Sequence, residues 1–216
     1  MRGQFFPYQD ENVSKSFPYV TVSIIALNVA VFLWSLLDFE NILNTYGFVP
    51  AGFSILTIFT AMFLHGGIDH IFGNMWYLWL YGDNVEDRMG KIKYLAFYLL
   101  SGVAATLVHY MTNVGSEIPA VGASGAISGV LGAYLVLFPN VRIKAIGPFY
   151  QTYRLPASML IGLWFGLQFL FGLQSFAGGT KSGIAFWAHI GGFAFGYLAA
   201  KVMFGQEKKR QAIEET

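Results

Sequence analysis

The chain has 216 residues, of which 55% are hydrophobic and only 12% charged, with 21 Phe, 12 Tyr and 5 Trp. At about 150 residues per domain this is one domain or a small pair, and charges at half the roughly 25% of a typical globular chain are too few to coat a soluble surface. A net charge of +1 leaves no basic field for nucleic acid, and the absence of cysteine excludes disulfides, Cys-ligated zinc and thiol nucleophiles.

A bilayer core about 30 Å thick needs about 20 mostly apolar residues per helix, and six predominantly apolar windows approach that length. The first runs over 17–37, opened by Pro18 and closed by Asp38. Asp10, Glu11 and Pro7 precede it and no small-x-small cleavage site follows, so it reads as a membrane helix and not as a secretory signal. The segment 38–67 is long for a connection and is expected to carry structure of its own against the membrane, with 55–64 as an interfacial or re-entrant piece. The second window covers 69–85 and the third 94–112. The fourth, 123–138, is short, about 24 Å at 1.5 Å per residue, and Pro139 ends it. The fifth and sixth cover 155–177 and 183–204. The expected fold is therefore an all-α membrane protein, a six-helix bundle over 18–204 with a large membrane-associated first external loop. Residues 1–17 and 205–216 form cytoplasmic ends.

Twelve of the 13 basic residues fall on one side of this arrangement: Arg2 and Lys15, then Arg88, Lys91 and Lys93, then Arg142, Lys144 and Arg154, then Lys201, Lys208, Lys209 and Arg210. Lys181 alone lies opposite. The positive-inside rule puts both termini in the cytoplasm and supports an even number of spans; the expected location is the cell membrane, as a multi-pass protein.

Polar side chains inside hydrocarbon are functional candidates because burying them unpaired is costly. Here they are His70, Asn74, His109, Ser124, Ser128, Gln168, Gln174 and His189. His70 and Asn74 are four apart, so a helix stacks them on one face. Ser124 opens the fourth window within Gly122-Ala123-Ser124-Gly125. The free N–H groups and dipole of a helix N-terminus there favour a developing negative charge. His189 lies six residues into the sixth window, about 9 Å below its start. Gly125-x-x-x-Gly129 and Gly192-x-x-x-Gly196 allow the fourth and sixth helices to approach backbone to backbone. That approach would bring the Ser124 hydroxyl to His189, a minimal activated nucleophile, and no Asp or Glu stands ready to orient the histidine, so the pair reads as a dyad. Each piece has a plainer explanation: a Gly-x-Ser-Gly string is more often helix packing, a histidine in a span is more often structural, and His109 is read that way. Only the combination is specific.

Together, His65-Gly66-Gly67-Ile68-Asp69-His70-Ile71-Phe72-Gly73-Asn74, Gly122-Ala123-Ser124-Gly125 and Ala188-His189-Ile190-Gly191-Gly192 with Gly196 resemble the three signature motifs of the rhomboid family of intramembrane serine proteases, in their order and on the second, fourth and sixth helices. The resemblance covers about 18–204. It implies that Ser124 is the nucleophile and His189 the general base and acid, with His70 and Asn74 joining the Ser124 backbone N–H around the oxyanion. It likewise implies that Glu86-Asp87-Arg88 is a structural element after the second helix and that small side chains flank the cleaved bond. Familiar members carry an aromatic residue four positions after the nucleophile, packed on the histidine, where this chain has Ser128. Another group must hold the ring, and the Ser128 hydroxyl is one candidate.

The function so implied is hydrolysis of peptide bonds in or beside transmembrane segments of protein substrates within the lipid bilayer, with no metal, cofactor or nucleic acid. It requires a polar cavity that admits water. A transporter or channel with a His70–Asn74–His189 relay would explain the polar residues but not the Gly-x-Ser-Gly string. An intramembrane metalloprotease is disfavoured because His65 and His70 are five apart and no Glu follows His65. A non-catalytic binder of the same fold would normally lack the serine or the histidine.

Overall fold

The computed structural model describes residues 5–12, 14–176 and 184–214. Arg2, Lys181 and the edges of the fifth and sixth windows at Ala177 and Gly183 lie outside the described residues, as do the side chains of Lys208, Lys209 and Arg210.

Helix α1 spans Tyr19–Ser35. Its first amides are satisfied from a distance: the Glu86 carboxylate accepts from Val20 N–H at 3.0 Å and Thr21 N–H at 2.8 Å. A carboxylate only 2% exposed is tolerated there because it caps two orphan donors at the positive end of a helix. The 38–67 segment carries α2, Phe39–Tyr46, and α3, Ile55–Thr60, which runs on through a 3-10 turn at Ala61–Phe63. The chain then bends by 88° into α4, Ile68–Met89. Gly90, at φ 78, is the single-residue joint to α5, Lys91–Thr112, a left-handed conformation that only glycine adopts freely. Then come α6, Ser124–Leu137, α7, Ala157–Phe176, and α8, Phe186–Glu214. Among the described residues α5 and α7 are each long and apolar enough to cross a membrane, and 55–63 with α4 forms a bent pair that also qualifies.

Helix α6 is the centre of the molecule. Every residue from Gly125 to Tyr134 is buried, against α8, α5 and α4. The glycines account for the closeness of α6 and α8: a Cβ on Gly192 would collide with the Gly125 carbonyl oxygen, and one on Gly196 with that of Gly129. In a membrane, where lipid is as apolar as Leu, such backbone-to-backbone contact is what drives helices together.

The all-α expectation needs one correction. Strands β1, Phe6–Asp10, β2, Arg142–Ile146, and β3, Thr152–Pro156, form an antiparallel sheet in the order β1-β2-β3. The signal was present in β2, where Ile143 and Ala145 are fully buried and alternate with Arg142 and Lys144, a period of two. Its partner β1 lies more than 130 residues earlier, a pairing no local pattern announces. Strand β1 is held against the helices by side-chain bonds. Trp76 donates its indole N–H to the Pro7 carbonyl at 2.8 Å. Asp10 receives the Asn84 amide at 2.6 Å and the Tyr134 hydroxyl at 2.9 Å, which ties β1 to α4 and α6. Burial, with Asp83 nearby, pushes the Asp10 carboxyl up from its ordinary 3.8 to about 7.

Candidate active site

Ser124 is the first residue of α6 and His189 lies in the first turn of α8, which starts at Phe186, so the histidine sits nearer its helix start than six residues. Seated at the paired ends of the two glycine-packed helices, Ser124 Oγ and His189 Nε2 stand 2.8 Å apart. Both side chains are partly buried. A hydroxyl within hydrogen-bonding reach of an imidazole nitrogen can pass its proton to the ring while the oxygen attacks an electrophile.

His70 approaches the same point from α4. The Gly66 N–H donates to its Nδ1 at 3.2 Å, so in the neutral ring Nε2 carries the hydrogen and is a donor. That edge packs over Gly122: a Cβ there would stand 2.9 Å from both Cε1 and Nε2 of His70 and 3.5 Å from Ser124 Oγ. Gly122 also has φ +132, so both its conformation and the space around it exclude a side chain. Asn74, one helical turn beyond His70, is buried, and its Nδ2 is a donor with no hydrogen-bond partner among the described residues. Buried donors without acceptors are rare and need a reason. His65 packs its ring against His70, centroids 5.2 Å apart.

The 38–67 segment closes over this corner. Gly122 N–H donates to the Ala61 carbonyl at 2.9 Å, and Phe48 and Ala120 bridge backbone to backbone. A cavity beside Ser124 is bounded by Phe48, Met62, His109, Gly122 and Ala188. Its polar lining is sparse. Thr106, His109 and Ser124 supply it, the remaining lining is apolar or glycine, and His70, Asn74 and His189 lie outside it.

The histidine ring is not held by Ser128. That hydroxyl donates to the Ser124 carbonyl at 2.6 Å, bonding back along its own helix. Instead Gln168 Oε1 lies 2.8 Å from His189 Nδ1, and the Trp164 ring lies beside the imidazole with centroids 6.0 Å apart and planes 34° apart. Both come from α7. The sequence singled out Gln168 as an expensive polar residue but gave it no task. The usable signal was its spacing of four from Trp164, which stacks the two on one face of a helix.

The family model described as "Rhomboid domain" matches residues 52–206. Among curated proteins the chain is 33% identical over 128 residues to presenilin-associated rhomboid-like protein, mitochondrial, of Bos taurus, covering 57% of this chain and 34% of that protein. It is 31% identical over 158 residues to rhomboid protein 1, mitochondrial, of Saccharomyces cerevisiae, covering 66% of this chain and 46% of that one. It is also 38% identical over 78 residues to RHOMBOID-like protein 5 of Arabidopsis thaliana, covering 36% of this chain and 25% of that one. In these matches the chain spans between a quarter and a half of its relatives' length.

Proposed function

The chain belongs to the rhomboid family, and on that premise we propose that it is an intramembrane serine endopeptidase that hydrolyses peptide bonds in or beside transmembrane segments of other membrane proteins. The observation that carries the proposal is the 2.8 Å contact between Ser124 Oγ and His189 Nε2. In this reading Ser124 Oγ bonds to the scissile carbonyl carbon while its proton passes to His189 Nε2. The carbonyl π pair moves onto oxygen, and that oxyanion is met by the Ser124 backbone N–H, the His70 Nε2–H and the unpartnered Asn74 amide. Collapse breaks the C–N bond as His189 returns the proton to the leaving amine. Water then attacks the acyl carbon, giving a proton to the same nitrogen, and collapse breaks the ester C–O bond as His189 returns that proton to Ser124 Oγ. The cavity beside Ser124, floored by glycine and alanine, suits a small side chain next to the cleaved bond. The substrate must be extended at that point, because a helical carbonyl is shielded and already hydrogen-bonded.

The proposed architecture is six membrane-crossing helices, α1, α4, α5, α6, α7 and α8, with 38–67 lying against the outer face. The segregation of twelve of 13 basic residues supports both termini on the cytoplasmic side of a cell membrane. The bovine and yeast relatives are named as mitochondrial, and cell fractionation distinguishes a mitochondrial location for this chain from the cell membrane. The test of the chemistry is incubation of the purified protein with a model transmembrane substrate and mass spectrometry of the products. Ser124→Ala is expected to reduce cleavage to background and to abolish labelling by a fluorophosphonate, with thermal unfolding unchanged. Persistent cleavage by Ser124→Ala would overturn the assignment.

A further inference from the structure

We infer that Gln168 is a positioning residue for the His189 imidazole, its amide oxygen holding Nδ1–H so that Nε2 is presented to Ser124 as a proton acceptor. The inference rests on the Ser124–His189 reading and goes beyond it to the part that gives the histidine its tautomer.

The 2.8 Å contact of Gln168 Oε1 with Nδ1 has a defined polarity, because an amide oxygen only accepts. The ring proton therefore resides on Nδ1, which leaves the Nε2 lone pair to accept the Ser124 hydroxyl, 2.8 Å away. Without an acceptor at Nδ1, the proton could equally sit on Nε2, where it would face Ser124 as a second donor and block proton transfer. The two other nearby candidates are committed elsewhere. Ser128 donates to the Ser124 carbonyl, and Trp164 covers the side of the ring without offering an acceptor. Helix α7 is also an unexpected source of an amide: only Ala157, Ile161 and Gly172 are buried along it. A glutamine on so lipid-exposed a helix is costly unless paired, and His189 is the partner that offsets the cost.

A neutral acceptor orients the ring but adds little stabilisation to the imidazolium formed when Nε2 takes the serine proton. The titratable groups that bear on His189 are His70 from α4 and His109 from α5, both imidazoles. The other elements packed on it bring Ser124 from α6 and Gln168 and Trp164 from α7, none of them charged. A carboxylate at position 168 would thus be the first anion at the ring, and it should raise the pH at which the ring protonates.

The experiment uses the full chain in liposomes with a model transmembrane substrate, measuring kcat and KM from pH 5 to 9 for wild type, Gln168→Met, Gln168→Glu and Ser124→Ala. Gln168→Met keeps the volume and loses the acceptor. It is expected to lower kcat about 10- to 100-fold, the consequence of an unsatisfied Nδ1–H and a wrong tautomer, with KM within about twofold. Gln168→Glu keeps the acceptor, so it should retain activity within about threefold at its optimum, with the acidic limb of kcat moved about one unit to higher pH. Wild-type kcat in Gln168→Met would overturn the inference. So would an unmoved acidic limb in Gln168→Glu, or a loss of activity in it as deep as in Gln168→Met. Inactive Ser124→Ala beside an unaffected Gln168→Met removes Gln168 alone, whereas active Ser124→Ala removes the dyad itself.

Discussion

Three helices carry the Gly-x-x-x-Gly spacing, and the structure treats them in two ways. Between α6 and α8 the fit is so close that an added Cβ on Gly192 or Gly196 would strike the backbone of Gly125 or Gly129, while one on Gly125 or Gly129 would strike Ala105 or Ser101 of α5. On α7, Gly162 and Gly166 have the same spacing and nothing within 4 Å of where a Cβ would stand. The motif is therefore permission for close approach and not evidence of it. What separates the two cases is the rest of each helix. Gly125 to Tyr134 of α6 is wholly buried, whereas α7 turns Leu163, Leu167, Phe169 and Leu170 outward. The chemistry divides in the same way. The serine and the histidine stand on the interlocked pair, where backbone contact fixes their separation. The loosely packed helix touches the site through two side chains, Trp164 and Gln168.

The strongest way to break this contrast is to force the interlocked pair apart. Gly196→Val is expected to abolish cleavage and fluorophosphonate labelling and to lower the unfolding temperature by many degrees. Its side chain would occupy the place of the Gly129 backbone, and neither helix can yield without moving the Ser124–His189 contact. A variant that keeps wild-type labelling would mean that the α6–α8 spacing does not set the geometry of the pair.

A milder perturbation addresses the other end of α6, where Tyr134 donates to Asp10. Asp10 is pushed up from 3.8 to about 7 in the folded protein. Between those values the folded state holds a proton that the unfolded state has lost, so stability falls as pH rises through this window and its contribution is fully present only below about 4. Asp10→Asn keeps a side chain that can accept from Tyr134 and Asn84 but cannot ionise. Wild type should lose a few degrees of unfolding temperature between pH 5 and pH 8 relative to Asp10→Asn. Parallel pH profiles for the two proteins would show that β1 anchors α6 without any contribution from this proton.

What could be read from the sequence follows the same division between local and distant causes. Uninterrupted apolar runs are local, and helices occupy the windows they mark: Tyr19–Ser35 within 17–37 and Ser124–Leu137 within 123–138. Ser124 at a helix start was legible because Gly122 and Pro119 end the preceding loop. The approach of α6 to α8 was inferred from glycine spacing, although the same inference applied to Gly162 and Gly166 would have failed. The sheet escaped because β1 and β2 acquire meaning only as neighbours, and Ile143 and Ala145 alternate over too short a run to outweigh the basic residues around them. Gln168 escaped for a related reason. Nothing in its own helix says that it faces a histidine 21 residues later, and Ser128, four residues from Ser124, was the nearer candidate in sequence and the wrong one in space.

The smallest expected effect is the one that separates motif from contact most cleanly. Gly162→Ala and Gly166→Ala put a methyl group where the structure leaves open space, so no steric penalty opposes them. Alanine is favoured over glycine in a helix interior by up to about 1 kcal/mol. Each variant should match wild type in cleavage and labelling and unfold at an equal or slightly higher temperature. The same exchange at Gly192 or Gly196 meets backbone and should lose activity. If Gly162→Ala or Gly166→Ala impaired cleavage as Gly196→Val does, α7 would have to pack closely against a neighbour during the reaction. Its two contacts with His189 would then belong to an interface that forms only with substrate present.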